Sequence, residues 1–168
     1  MSFIGKSHEK VHYEFRPAKQ VERRMLLHAF HELRDLGYTI SNYEYTGLGS
    51  IYFVDFALFH RYLGLTRMTS VEGNREIDQR VEFNCPYKLI KVIHDDISAQ
   101  IARLSSKRRH ILWLDFDSIL TEELLDAVHL AATQLSVRSI LLVTVDVEPI
   151  RIDTTCKVVF NLLFKKPG

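Results

Sequence analysis

Positions 41–50 read SNYEYTGLGS, and positions 51–63 read IYFVDFALFHRYL. We interpret them as a short strand at 39–45, a glycine turn and a buried helix. Glycine lacks Cβ, so the backbone can turn sharply at Gly47 and Gly49 and a ligand can approach it closely. The helix that follows directs free N–H groups and the positive end of its dipole into the turn. A strand, a glycine turn and a helix in this order are typical of nucleotide-like cofactor sites.

Length and composition indicate one globular domain. The 168 residues suffice for a full core, and 46% apolar with 26% charged residues is ordinary for such a domain. A net charge of +1 provides no overall field that would recruit nucleic acid or an anionic membrane. Cys85 and Cys156 lack metal-type spacing, which favours free thiols in a reducing compartment. No apolar leader segment and no run long enough to span a bilayer is found, so we expect a cytoplasmic protein.

The segment before the glycine turn is predicted to be an irregular arm at 1–16 and a helix that begins at Pro17 and ends at Gly37. Its apolar residues recur at helical spacing and form one stripe: Val21, Met25, Ala29, Leu33 and Leu36, widened by Leu26 and Phe30. The other face is mostly basic and is interpreted as solvent-exposed surface; it carries Lys19, Arg23, Arg24 and Glu32.

Downstream of the glycine turn, apolar runs alternate with helical patterns. Further strands are predicted at 67–71, 89–93, 111–114 and 139–145, the last one buried on both faces. Helices are predicted at 75–83, after a cap at Ser98, and after a cap at Thr121. The alternation predicts an α/β fold of the Rossmann-like, doubly wound type, with a mostly parallel sheet of at least five strands and helices on both faces. We divide the single expected domain into an arm and helix (1–38), a core (39–149) and a short C-terminal extension (150–168).

Acidic side chains follow the predicted strand ends, where open α/β sheets bind their ligands. Glu72 follows Gly49 by 23 positions, close to the spacing of about 20 at which an acid accepts hydrogen bonds from ribose hydroxyls. Asp95 and Asp96 follow the third strand. They either accept a hydrogen bond from an adenine amino group or, for Asp96, cap the next helix.

A second acidic group follows the fourth strand. Asp115 and Asp117 are two positions apart, so on an extended chain they point to the same side and could share a divalent cation, with Asp146 at the next strand end as a third oxygen ligand. The alternative is that Asp117 caps a turn and Asp115 is an ordinary edge acid. His94 is a further candidate base, although a single histidine near a strand end is more often structural.

The order of these motifs resembles the class I, S-adenosylmethionine-dependent methyltransferases over residues 39–149. The motifs are Gly-Leu-Gly at 47–49, Glu72, His-Asp-Asp at 94–96 and Leu-Asp-Phe-Asp at 114–117. The sequence resembles in particular O-methyltransferases of the small-molecule type, some of which bind magnesium through an Asp-x-Asp after the fourth strand. The resemblance implies S-adenosylmethionine as cofactor and Mg²⁺ at Asp115, Asp117 and Asp146.

The resemblance also implies a role for each motif. The backbone at Gly47 and Gly49 would approach the methionine part of the cofactor, and Tyr45 stands where the family usually has an acid. Glu72 would hold the ribose hydroxyls. Asp96, with Asp95 as the alternative, would contact adenine. Asp115 would lie nearest the methyl group and the acceptor, and Asp115 and Asp117 are the catalytic candidates.

The sequence departs from the family pattern in two places. Ile51 replaces a third glycine, and only residues 151–168 follow the fifth strand, where the family has two more strands. We therefore expect a short C-terminus, which is typical of a truncated form, of a member that has lost activity, or of a domain whose sheet edge is completed by a second copy or a partner chain.

These features predict S-adenosylmethionine-dependent methyl transfer to an oxygen of a small-molecule or macromolecular acceptor. The alternative is an inactive methyltransferase-like module that binds a nucleotide or a protein partner. A dinucleotide-dependent oxidoreductase would require a third glycine at position 52, where this sequence has Tyr52. Nucleic acid is disfavoured as a partner, because the basic run at 107–109 is small and lies away from the predicted cofactor end.

Overall fold

The computed structural model describes residues 17–49, 51–116 and 118–145. The predicted arm at 1–16, Asp117, Asp146 and the C-terminal extension at 150–168 lie outside the described residues. The α-helices are α1 (Pro17–Asp35), α2 (Val54–Leu63), α3 (Asp78–Asn84), α4 (Ile97–Ala102) and α5 (Glu122–Gln134). The strands are β1 (Glu44–Leu48), β2 (Arg67–Glu72), β3 (Ile90–His94), β4 (His110–Asp115) and β5 (Ile140–Thr144).

The strands form one parallel sheet in the order β3-β2-β1-β4-β5. Helices α1, α2 and α3 pack on one face of the sheet, through Phe30, Phe59 and Val81. Helices α4 and α5 pack on the other face, through Ile101 and Ala127. The predicted Rossmann-like, doubly wound α/β fold is therefore confirmed. The strand order reverses between β1 and β4, and in such sheets the crevice at this reversal is where ligands bind.

The first strand is displaced from its predicted position at 39–45. Residues Ile40–Asn42 form a 3-10 turn, and the strand begins only at Glu44. Gly47 therefore lies inside β1, paired with Ser70 on one side and Trp113 on the other, and does not lie in the turn. Helix α2 begins at Val54, after Phe53, whose φ of 51° lies in the left-handed region.

Three smaller predictions also need correction. The helix predicted at 75–83 is a 3-10 turn followed by α3. The cap of α4 is Asp96, whose side chain accepts from the backbone, and not Ser98. Strand β5 is not buried on both faces, because its side chains are all half-buried or exposed and Val143 is 41% exposed. The predicted cap of α5 at Thr121 is confirmed.

Helix α1 is rotated relative to the predicted orientation, so that only part of the predicted apolar stripe faces the core. Val21, Met25 and Leu36 of the predicted apolar stripe are 56%, 67% and 73% exposed. Phe30 of that stripe is buried, with Leu26 and Leu33 packed against the core, and the helix buries Arg23 as well. It therefore turns part of its basic face, which was interpreted as solvent-exposed, toward the sheet.

Candidate functional site

Gly47 provides space for the side chain of Tyr45. The two residues lie on the same face of β1, and a Cβ at position 47 would lie 2.6 Å from the hydroxyl oxygen of Tyr45. The tyrosine ring is 2% exposed and packs edge-to-face on Phe56 and Phe59, with centroid distances of 5.0 and 5.2 Å. The residue at the position usually held by an acid is thus anchored in the core, and its hydroxyl points toward the carboxyl end of β1.

Gly49 allows the end of β1 to approach the end of β2. Its N–H donates to the carbonyl of Val71 at 2.5 Å, and a Cβ at position 49 would lie 2.7 Å from Oε2 of Glu72. Glu72 is 9% exposed, and its Oε1 accepts the N–H of Asn74 at 2.7 Å. The structure therefore brings two of the predicted cofactor residues together, with the carboxylate of Glu72 held beside the glycine turn.

The two aspartates after β3 are both engaged within the chain. Oδ1 of Asp96 accepts from the N–H groups of Ser98 and Ala99 at 2.8 and 3.3 Å. Of the two predicted roles of Asp96, capping is therefore observed, and the contact with adenine stays a prediction. Asp95 forms an ion pair with Arg103 at 2.5 Å. The hydrogen bond from Arg103, followed by that from the Asp96 N–H, lowers the pKa of Asp95.

His94 lies against α3. Its Nδ1 is 2.7 Å from Oδ1 of Asp78 and its Nε2 is 3.4 Å from Oε1 of Glu82, without the alignment of a hydrogen bond at either nitrogen. These contacts place the imidazole between β3 and α3, which favours the structural role over that of a base.

The carboxyl end of β4 faces the beginning of α1. Nζ of Lys19 donates to Oδ1 of Asp115 and lies 3.0 Å from Oε2 of Glu22. The side chains of Lys19 and Asp115 are 13% and 12% exposed. Burial lowers the pKa of Lys19, but the carboxylates of Asp115 and Glu22 outweigh burial and leave this pKa above its usual value. Lys19 is therefore a fixed positive charge at the strand end where the resemblance places methyl transfer.

A second ion pair joins α1 to α2. Nε of Arg23 donates to Oδ1 of Asp55, in the first turn of α2, and the two side chains are 4% and 13% exposed. Burial raises the pKa of Asp55, and Arg23 only partly opposes this shift. Asp115 and Lys19 also act on the pKa of Asp55. The two ion pairs therefore form one cluster of charges.

A hydrogen-bonded chain ties α1 to the last two strands. Nε1 of Trp113 donates to Oγ1 of Thr144 at 3.0 Å, and Oγ1 of Thr144 donates to Oε1 of Glu22 at 2.8 Å. The ammonium of Lys19 lies 5.8 Å from the centroid of the Trp113 ring. Helix α1 is thus held over the carboxyl ends of β4 and β5 by polar contacts.

Sequence reasoning missed Lys19, Glu22, Arg23 and Asp55. The residues that pair with Lys19 and Arg23 lie 96 and 32 positions away in the chain. The only local signal is that Lys19, Glu22 and Arg23 share one face of the helix. That signal does not distinguish a solvated face from one that is paired with distant carboxylates.

Of the predicted metal ligands only Asp115 belongs to the described part of the chain. Within residues 17–49, 51–116 and 118–145, no group of three or more His, Cys, Asp or Glu side chains could hold a metal ion. Oδ1 of Asp115 faces the ammonium of Lys19, a positive charge that opposes a bound cation. The Mg²⁺ site and the catalytic role of Asp117 stay predictions.

The basic run at 107–109 comes directly before β4 and lies at the amino ends of the strands, opposite to the carboxyl ends where the candidate site lies. Nε of Arg108 and Nε of Arg67 lie 3.1 and 3.9 Å from Oε1 of Glu44, the first residue of β1. These cations are therefore a strand length away from Gly49 and Asp115.

The sheet is doubly wound, and the glycine turn at Gly49 and the carboxylate of Glu72 lie at the carboxyl ends of its strands, near the point where the strand order reverses. This arrangement is typical of enzymes that bind a nucleotide cofactor. The chain belongs to the family described as "Putative O-methyltransferase", whose model matches residues 11–163. The predicted family is therefore confirmed, and the class of reaction is methyl transfer. Comparisons with curated proteins and with solved structures gave no match. In the part of the chain that the structure describes, every helix is too short or too polar to cross a membrane.

Proposed function

We propose that this chain transfers the methyl group of S-adenosylmethionine to an oxygen acceptor. The observation that carries the proposal is the pairing of Glu72 with Gly49. A nearly buried carboxylate, oriented by the N–H of Asn74, lies beside a backbone that has no side chain. A carboxylate accepts hydrogen bonds from both hydroxyls of a ribose, and the glycine lets the rest of the cofactor come close.

The remaining roles follow the strand ends. The backbone at Gly47 and Gly49 approaches the methionine part, with the hydroxyl of Tyr45 beside it, and Asp96 or Asp95 contacts adenine. The cofactor supplies a methyl group bound to a sulfonium. As the acceptor oxygen bonds to the methyl carbon, the carbon–sulfur bond breaks and sulfur keeps the electron pair. This step needs mainly proximity and orientation.

An acceptor that is a hydroxyl must also lose its proton, whereas a carboxylate acceptor is already ionised. Asp115 and Asp117 are the proposed bases, and either one takes the proton from the acceptor hydroxyl. In the alternative, Asp115, Asp117 and Asp146 would hold Mg²⁺, which would lower the pKa of the acceptor hydroxyl. Because Lys19 already pairs with Asp115, we favour the reaction without metal.

The proposal is tested by calorimetric titration with S-adenosylmethionine and S-adenosylhomocysteine. Glu72→Gln keeps the shape of the side chain but removes its charge, and hydrogen bonds to a charged group contribute about 1.5–3 kcal/mol. We therefore expect affinity to fall about tenfold or more. Glu76→Gln is the matched control, because Glu76 is exposed, lies four positions further on and loses the same charge. A folded sample that binds neither ligand would refute the proposal that S-adenosylmethionine is the cofactor.

The second candidate is a cofactor-binding module without turnover. The ion pair between Lys19 and Asp115 favours it, since a carboxylate that is already paired with an ammonium is a weaker base. Binding of labelled S-adenosylmethionine without transfer to any of a panel of phenols, catechols and carboxylic acids would support this candidate.

The proposed location is the cytoplasm, and the proposed partner is a second copy of this chain or another chain that extends the sheet at β5. Support for pairing comes from β5 itself, which is the outermost described strand on its side and carries the exposed Val143.

A further inference from the structure

We propose that the amino ends of the strands form a docking surface for an anionic lipid membrane, on which the protein lies without crossing the bilayer. The inference is independent of the proposed function, because it concerns the edge of the sheet opposite to Gly49 and Glu72. The chain as a whole carries a net charge of only +1. The attraction must therefore come from the local arrangement of charges.

The fold brings cations from three separate segments to this edge. Arg67 begins β2, the run at 107–109 leads into β4, and Arg138 precedes β5. These strands run parallel in one sheet, so their amino ends lie along the same edge. The basic residues of the edge are all exposed: Arg67, Lys107, Arg108, Arg109 and Arg138. The run at 107–109, which is small in the sequence, is thus part of a larger cationic surface.

The carboxylate of Glu44 lies among these cations but does not neutralise them. Its Oε1 is 3.1 Å from Nε of Arg108 and 3.9 Å from Nε of Arg67. The side chain of Glu44 is 28% exposed, whereas those of Arg108 and Arg67 are 55% and 46% exposed. At the adjoining end of α1, Arg34 and Asp35 carry opposite charges. Glu44 therefore orients two guanidinium groups, and the edge keeps an excess of positive charge.

Two exposed aliphatic side chains lie beside the cations. Leu36 is 73% exposed and Val137 is 89% exposed. The guanidinium of Arg138 lies 4.3 Å from the centroid of the Tyr38 ring, and this contact joins the two short segments that carry Leu36 and Val137. Basic side chains around exposed aliphatic ones are typical of proteins that lie at a membrane surface. The aliphatic groups enter the acyl boundary while the cations stay at the lipid phosphates.

The turn that presents Val137 is fixed on both sides. The hydroxyl of Ser136 donates to the carbonyl of Arg108, which ties the turn to the basic run. The hydroxyl of Tyr43 donates to the carbonyl of Arg138 at 2.9 Å, and Arg138 has a φ of 69°, which is uncommon for a residue with a side chain. A turn that is already ordered loses little conformational entropy on binding.

A nucleic acid is the other polyanion that these cations could attract. Proteins that hold single strands combine cations with aromatic rings on which the bases stack. Here Arg138 occupies a face of the Tyr38 ring, and the exposed apolar side chains beside it, Leu36 and Val137, are aliphatic. Aliphatic side chains gain from contact with hydrocarbon but offer no ring for a base. The composition of the edge therefore favours a lipid surface.

The first test is co-sedimentation of the 168-residue chain with phosphatidylcholine vesicles. They are prepared with and without about one third of anionic phosphatidylglycerol. We expect binding to the anionic vesicles only, and an affinity that falls as salt is added. Each cation near such a surface contributes about fivefold in affinity, so the double variant Lys107→Gln and Arg109→Gln should bind about twentyfold more weakly. The matched control is Arg24→Gln and Arg80→Gln, which removes the same charge from exposed sites on α1 and α3.

The second test concerns the aliphatic contact. Val137→Ser removes two methyl groups and leaves the charge unchanged, so we expect the affinity for anionic vesicles to fall about fivefold. Val21→Ser is the matched control, because Val21 is 56% exposed on α1 and receives the same substitution. We expect this control to stay within about twofold of the wild type.

Several results would overturn the inference. They are an absence of binding by the folded chain, equal binding to anionic and neutral vesicles, an equal loss in the basic double variant and its control, and a Val137→Ser variant that binds as the wild type does. The same proteins are titrated with single-stranded RNA at the same salt concentration. If RNA binds more tightly than the vesicles do, the surface is one for nucleic acid and the inference is again overturned. Titration with S-adenosylhomocysteine reports on the proposed function separately.

Discussion

Replacing Gly47 by alanine should force Tyr45 to move. The new Cβ would lie 2.6 Å from the hydroxyl oxygen, 3.0 Å from Cζ and 3.4 Å from Cε1 of Tyr45. The ring cannot swing away freely, because Phe56 and Phe59 pack against it. Gly47 has no positive φ, so the effect comes from crowding and not from backbone strain. Overpacking of this kind costs about 1–3 kcal/mol, and we expect the free energy of unfolding to fall by that amount.

A double-mutant cycle measures how much of the destabilisation by Gly47→Ala comes from the hydroxyl of Tyr45. Tyr45→Phe removes the atom at 2.6 Å and leaves Cζ, at 3.0 Å, as the nearest neighbour of the new Cβ. The cost of Gly47→Ala should therefore be smaller in the phenylalanine background, by about 1 kcal/mol. Any separate loss of stability from Tyr45→Phe cancels in the cycle.

Urea-induced unfolding of the four proteins measures each term. Gly73→Ala is the control, because a Cβ at position 73 meets nothing within 4 Å and Gly73 has no positive φ. We expect this control to change the free energy of unfolding by less than about 0.5 kcal/mol. The reasoning is refuted if Gly47→Ala costs no more than Gly73→Ala, or if its cost is the same with tyrosine and phenylalanine at position 45.

Two further predictions concern aspartates of the site. Asp96→Ala should cost about 1 kcal/mol through the lost helix cap while Asp96→Asn costs much less; equal losses in urea unfolding would show that the cap is unimportant. Burial raises the pKa of Asp55 above its usual 3.8, against the opposing effect of Arg23. The folded chain therefore holds the proton of this carboxyl group more tightly than the unfolded chain does. As a result, the contribution of Asp55 to the free energy of unfolding falls as the pH rises above 3.8. We therefore expect the stability of the wild type relative to Asp55→Asn to decrease as the pH is raised above about 4, and a pH-independent difference in thermal or urea unfolding would contradict this expectation.

The elements of the fold could be predicted because their signals are local. Apolar runs between turn residues predicted all five described strands, and the alternation with helices predicted a doubly wound parallel sheet. The boundaries were less accurate where tertiary pairing overrides local preference. Gly47 looks like a turn residue, but it continues β1 because Ser70 and Trp113 pair with it on both sides.

The site could be predicted only in part, for a related reason. Gly49 and Glu72 follow a spacing set by one strand–helix–strand unit, so a sequence pattern places them together. The orientation of α1 depends on partners from other units. The apolar stripe of this helix is wide, and periodicity alone does not show that its Phe30 side is buried while its Met25 side is exposed.

The buried face of α1 also depends on the carboxylates of Asp115 and Asp55, which are far from the helix in the sequence and which no local pattern connects to it. If α1 were rotated to bury Val21 and Met25, Lys19 and Arg23 would leave Asp115 and Asp55, which are only 12% and 13% exposed, without those cations. Leaving a buried charge without its partner costs about 3–5 kcal/mol, more than the about 1.5–3 kcal/mol that burying one more apolar side chain contributes. Asp115 at the end of β4 and Asp55 in the first turn of α2 therefore act together with the packing of Phe30 to determine which face of α1 is buried. The residues that a ligand would meet there follow from long-range charge pairing and not from helical periodicity.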